Sequence, residues 1–310
     1  MAMQIPIASM SASLIVKYHK IPKYQNLLTL ISEESFFTDM DSFLRKYLVI
    51  EDNQNLDLSY FNHYYEKEVS LIIDRLPKES FSKVYLVLQR DYEVLKSTAL
   101  SLKKNNHEFG KDNFVKLMGE VSDKLVYHQD FKRYLSKKEY AIERSVEVYG
   151  LIAYLEEIYL TVLFDKFQKA PKFFQQYLEA KISTYYFMSA IKRTELGQSK
   201  EHILKHIISI QGIFSVLEKM SFGDIIGEIG EYLQLPLEEI NVINIEKTLF
   251  MNEVKAINQA NYLGLHDEKI LQYIVTLKYF GNNIKLAYLK KSIKLHDTEL
   301  FARMIDYNFI

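Results

Sequence analysis

Ten glycines and five prolines are spread over the 310 residues of this chain, so it has few places to turn sharply. Average usage is roughly 7% glycine and 5% proline. An all-β sandwich or barrel needs a turn signal about every 8–12 residues, and these residues cannot supply one. The strand-to-helix turns of a doubly wound α/β fold also consume glycine. Long helices with few breaks remain, and the fold class predicted is all-α.

The chain is 48% hydrophobic and 25% charged, as soluble globular proteins are. Single cores stop growing at roughly 250–300 residues, so two or more sub-domains are expected. A formal net charge of −1 provides no global basic field, which argues against a nucleic-acid partner. The absence of cysteine removes disulfides, thiolate metal sites, iron–sulfur clusters and cysteine nucleophiles, and fits a reducing compartment. The N-terminus, MAMQIPIASMSASLIVKYHK, lacks the basic region of a signal peptide. The most apolar stretch, 148–164, carries Glu156 and Glu157 in its middle, where a membrane span would not tolerate them. A soluble, cytoplasmic chain with no membrane span is expected.

Helical periodicity is plain over 140–167. Ile142, Val146, Tyr149, Ile152, Leu155, Tyr159 and Val162 recur at steps of three and four and so share one face. Ala170-Pro171 ends that helix. A second runs over 172–194, with Gly197 placed to cap its C-terminus and Ser199 to cap the N-terminus of a short helix over 200–210. The same order recurs upstream: a helix over 60–75, a break at Leu76-Pro77, a long helix over 81–104, a turn at Gly110 and a short helix over 112–118. Downstream come a helix over 245–262, a break at Gly264, a helix over 267–291 interrupted near Gly281, and a short helix over 297–305. Residues 9–48 add a helical pair broken at Ile21-Pro22. Matching Leu95, Phe187 and Ile284 gives spacings of about 92 and 97 residues. Three similar helical sub-domains follow, over 1–120, 121–212 and 213–310.

Few residues point to chemistry. The phosphate-binding patterns GxGxxG and GxxxxGK followed by Ser or Thr are both absent. His202 and His206 share a helix face as half of a zinc site would, but no third ligand is indicated, and surface or packing histidines are the default reading. His107-Glu108 extends into no motif. His266-Asp267 and His296-Asp297 precede helix starts, where the aspartate serves as a cap or, alternatively, as half of a dyad. Asp39, Asp41, Glu51 and Asp52 lack the spacing that converges carboxylates on Mg²⁺. Glu156 and Glu157 diverge by about 100° around a helix, so one faces solvent while the other finds a basic partner, unless one is a functional buried carboxylate. Lys103-Lys104, Lys192-Arg193 and Lys290-Lys291 stand near the ends of the three long helices. They either complement the helix dipoles or form three basic ridges around a common axis.

The repeat windows resemble the C/d-type rotor family of V-type and A-type rotary ATPases, in its shorter prokaryotic form. The resemblance rests on DYEVLKSTALSLKK, YYFMSAIKRTELGQSKEHILKHI and NNIKLAYLKKSIKLHDTELFARMI. The family's pattern is Asp, two residues, Asn, Ile or Leu, then Lys or Arg, followed by a basic helix end, a glycine turn and a short helix. Asn283-Ile284-Lys285 is the cleanest match, and Gly197 fits the turn of the second repeat. Val94 and Tyr186 replace the Asn, Phe280 replaces the Asp of the third repeat, and Lys294 replaces its turn glycine. The resemblance implies a pseudo-threefold, funnel-shaped socket that is non-catalytic, with no catalytic residue, metal or cofactor. It would couple the central shaft subunits to the membrane rotor ring, peripheral to the membrane. In the family the short helices lie toward the shaft, which implies Lys116, Lys205 and Arg303 as contact residues. The competing readings are a helical scaffold for another partner and a helical enzyme.

Overall fold

A computed structural model of the chain describes residues 6–32, 45, 58–105, 111–137, 148–206, 213–262, 266–293 and 297–308. Among these residues there are helices and connecting turns and no strand. The α-helices in chain order are α1 (Ile7–Tyr18), α2 (Tyr24–Ser32), α3 (Leu58–Arg75), α4 (Phe81–Asn105), α5 (Lys111–Val121), α6 (His128–Lys137) and α7 (Val148–Phe167). They continue as α8 (Lys172–Glu195), α9 (Lys200–His206), α10 (Ile213–Lys219), α11 (Ile225–Tyr232), α12 (Val242–Asn258), α13 (Asp267–Ile293) and α14 (Asp297–Arg303). A 3₁₀ turn, Gln259–Tyr262, extends α12.

The breaks follow backbone chemistry. Pro22, Pro77 and Pro171 each stand between consecutive helices, since proline removes an amide donor and restricts the preceding residue. Gly197 adopts φ +76° and donates to the Thr194 carbonyl at 2.9 Å, while Gln198 donates to that of Arg193 at 3.1 Å. This pair of bonds is the Schellman closure, and a left-handed residue favours glycine. Ser199 accepts the His202 amide at 3.3 Å, as a helix N-cap does.

Three helix triples repeat: α3–α4–α5, α7–α8–α9 and α12–α13–α14. In each, the first helix packs on the second. The second helix of one triple also packs on the first helix of another: α4 on α7, α8 on α12, and α13 on α3. These contacts return to their starting point. Helix α1 lies along α13, tied by Lys17, which donates to Glu68 at 2.7 and 2.8 Å, while the Tyr273 hydroxyl reaches the same carboxylate at 3.1 Å. The two ends of the chain meet where the Tyr307 hydroxyl donates to the Pro22 carbonyl at 2.7 Å. One continuous apolar core runs through all three triples, and Leu95, Phe187 and Ile284 are all buried in it.

Two expectations about helices change. The chain does not break at Gly281; α13 runs through it without interruption. A Cβ at this position would lie 1.7 Å from Cε1 of Phe61, so the glycine makes room for α3 rather than a bend. Nor does α7 bury only one stripe. Leu151, Ala153, Tyr154, Ile158, Leu160 and Leu163 are buried as deeply as the expected face, because α4, α6 and α8 all pack on α7. Residues 138–147, 207–212 and 263–265 lie outside the described residues, so the stripe's start, the end of the 200–210 helix and the Gly264 break do too.

Candidate functional site

The long helices bring ionisable groups to the middle of the fold. Gln89, Lys181 and Lys278 each stand six residues before the matched positions Leu95, Phe187 and Ile284. Both lysines lie deep in the fold with part of the side chain still accessible. Glu156 and Glu253 form a second matched pair, each 31 residues before Phe187 or Ile284. The Tyr85 hydroxyl stands beside the Lys181 ammonium and 3.1 Å from the Tyr177 hydroxyl. The Tyr279 hydroxyl donates to Glu253 at 2.9 Å. Tyr92 stacks on Tyr159 with ring centroids 4.9 Å apart, and Lys96 lies over the Tyr92 ring at 5.5 Å.

Electrostatics in this centre are set by burial and by neighbouring charge. Burial raises the Glu156 carboxyl above its usual range, against the opposing pull of Lys181, Lys96 and Lys278. Burial acts to lower Lys181, but Tyr85, Glu253 and Glu156 outweigh it and hold the ammonium above the ordinary lysine range. Lys278 is pushed down, first by the charge of Lys181 and then by burial. One buried polar atom beside them, Thr276 Oγ1, has no hydrogen-bond partner among the described residues. A lysine depressed by a like charge is a better base than an ordinary one. The basic pairs at the helix ends give no hint of these lysines. Their common offset from the matched positions is the signal that finds them.

Glu157 is held differently from its neighbour. It is 2% exposed, accepts the Tyr185 hydroxyl at 2.9 Å and lies 3.4 Å from Nη2 of Arg193. Glu157 thus finds the basic partner expected for one of the pair, whereas Glu156 is only partly exposed, because α7 is covered on several sides. Arg193 also corrects the idea of a basic ridge at the end of α8: it turns inward to Glu157, leaving Lys192 exposed. The side chains of Lys103-Lys104 and Lys290-Lys291 lie outside the described residues.

Motif residues bind the chain to itself. Asn283 donates to the Ile305 carbonyl at 2.7 Å and accepts the Ile305 amide at 3.0 Å. Asp91 accepts the Tyr127 amide at 2.8 Å. Each holds the segment that follows a short helix against a long one. Asp267 does cap a helix, but one other than its own. Its carboxylate accepts the Ser80 hydroxyl at 2.8 Å and the Ser82 amide at 3.1 Å, so it caps α4 from the start of α13.

Of the three implied shaft contacts, Lys116 on α5 and Arg303 on α14 are exposed, and the Lys205 side chain lies outside the described residues. So do His107, His296, Asp39, Asp41, Glu51, Asp52 and the side chain of His206. Among the described residues no cluster of three His, Asp or Glu side chains is arranged to hold a metal ion. No helix among them is long and apolar enough to cross a membrane.

Among the described residues, two cavities that open on the surface are not lined by the buried lysines. One, of about 750 Å³, carries Gln176, Ser183, Asn252 and Gln259 beside Phe164 and Phe187. The other, of about 370 Å³, lies among α12, α13 and α14 and includes Arg303. No family model matches the chain, and no curated protein matches its sequence.

Proposed function

We propose that the chain is a non-catalytic rotor socket of a V/A-type ATPase, joining the central shaft subunits to the membrane rotor ring at the cytoplasmic membrane face. The observation that carries this reading is the closed order of packing, α4 on α7, α8 on α12 and α13 on α3. Closed, like-on-like packing fits a pseudo-threefold socket. It also suits an adaptor under torque, because close-packed interiors transmit strain between the units they join. The buried positions Leu95, Phe187 and Ile284 support the same register of three repeats. So do the two clasps at Asp91 and Asn283, which hold matching segments in the first and third units.

The test is capture of the tagged full chain from its native cells in mild detergent, with its companions identified by mass spectrometry. Shaft and ring subunits of a rotary ATPase are expected in stoichiometric yield. Recovery of a stable complex with unrelated proteins would establish the scaffold reading instead. Recovery of the chain alone would remove the socket. Replacing Lys116, Lys205 and Arg303 together by alanine is expected to weaken shaft binding at least tenfold, as loss of several charged contacts does. Undiminished affinity would remove these three as contact residues.

A further inference from the structure

The cavity of about 370 Å³ among α12, α13 and α14 has an uneven lining. Its charged residues are three cations, Lys247, Lys285 and Arg303, against one carboxylate, Glu246. Among the described residues none of the three cations has an ion-pair partner. Lys247 makes only a 3.3 Å hydrogen bond to the Phe301 carbonyl, which leaves further ammonium protons free. An excess of unpaired cations in one concave site is arranged to attract an anion. Apolar side chains, Ile243, Phe250, Leu286 and Leu289, line the same cavity from the same two helices that carry Lys247 and Lys285. Leu289 remains 41% exposed, a large side chain left uncovered at the rim.

The walls are fixed. Asn283 clamps Ile305, another lining residue, through two hydrogen bonds. The Tyr279 hydroxyl is engaged by Glu253, so that ring presents its apolar face. A preformed pocket of this size, mostly apolar with a few convergent polar groups, is the usual form of a small-molecule site.

We propose that this pocket binds an amphipathic phosphate monoester or diester, its head group held by Lys247, Lys285 and Arg303 and its apolar body laid against Phe250, Leu286 and Leu289. Three donors suit a phosphate, which offers more acceptor oxygens than a carboxylate. Two sources share this chemistry, a soluble alkyl phosphate and a phospholipid head group at a membrane surface. The inference does not rest on the socket reading, since it concerns the isolated chain.

The experiment is titration of the purified full chain with octyl phosphate by isothermal calorimetry. Parallel runs use inorganic phosphate and octyl glucoside. Saturable one-to-one binding of octyl phosphate is expected, with Kd on the order of 100 μM for a ligand of this size. Inorganic phosphate should bind at least tenfold more weakly, and octyl glucoside should not saturate. The K285A/R303A double variant should weaken octyl phosphate at least tenfold, as loss of charge-assisted contacts does, while Lys132→Ala on α6 leaves it unchanged. A second arm measures flotation with phosphatidylglycerol vesicles against phosphatidylcholine vesicles, which reports the lipid source. Binding in either arm that is lost in K285A/R303A supports the site and names its source. Binding in neither arm, equal binding of inorganic phosphate, or binding unchanged in the double variant would overturn it.

Discussion

Replacing Gly281 by alanine probes the contact that closes the ring of helices. In the middle of an exposed helix, the change from glycine to alanine stabilises by about 1 kcal/mol, because alanine loses less backbone freedom. Here the new Cβ would lie 1.7 Å from Cε1, 2.3 Å from Cζ and 2.6 Å from Cδ1 of Phe61. The ring cannot yield freely, since Phe61 is 4% exposed and packs edge-on against Phe280 with centroids 6.0 Å apart. Overpacking of this kind costs typically about 1–3 kcal/mol and more where the shift is large. The methyl must displace an aromatic ring, so G281A is expected to destabilise the protein by about 2 kcal/mol net of the helix gain. Phe61→Ala alone should cost about 3–5 kcal/mol through the cavity it leaves. In that background the obstruction is gone, and G281A should turn stabilising by up to about 1 kcal/mol. The reversal of sign, read in a double-mutant cycle by urea denaturation, is the signature of direct contact. If G281A stabilises the parent chain, or destabilises both backgrounds equally, α13 and α3 do not meet at these residues.

Breaking the buried pair with R193M alone is expected to cost about 3–5 kcal/mol by stranding Glu157, whereas E157Q/R193M together should cost much less, as thermal melts of both variants will show. Asp267→Ala should lower stability by about 1–2 kcal/mol, because the Ser80 hydroxyl and Ser82 amide at the start of α4 lose their acceptor, and urea midpoints against Asp267→Asn measure it. Lys278 carries a pKa lowered by Lys181 and by burial. The unfolded chain therefore binds this proton more readily, and stability is lost below the folded-state pKa and regained as pH rises toward 10.5. Lys278→Met should melt higher than the parent near neutral pH, with the gain shrinking as pH approaches that value; a gain that does not change with pH would remove the buried ammonium as its cause.

What the sequence determined by itself is local. Helices dominate because the chain has few residues that can turn. Their ends fall at Pro22, Pro77, Pro171 and Gly197 because φ restriction, a missing amide and a left-handed conformation act within a few residues of where they are encoded. The burial of Leu95, Phe187 and Ile284 was legible for a similar reason, since apolar residues recur with helical period along each helix. What only the tertiary structure decided is which distant group each side chain meets. Asp267 caps a helix that begins 186 residues earlier, at Phe81. Arg193 reads as a helix-end cation, yet turns inward because Glu157 on α7 would otherwise be buried without a partner. Gly281 reads as a break until Phe61 is seen against it. Lys181 and Lys278, unremarkable along the chain, become neighbours because α8 and α13 bring matching positions to the same place. Backbone preference is written within a turn or two of helix, whereas partner choice depends on which surfaces must leave water together, and that is settled only when all the helices pack.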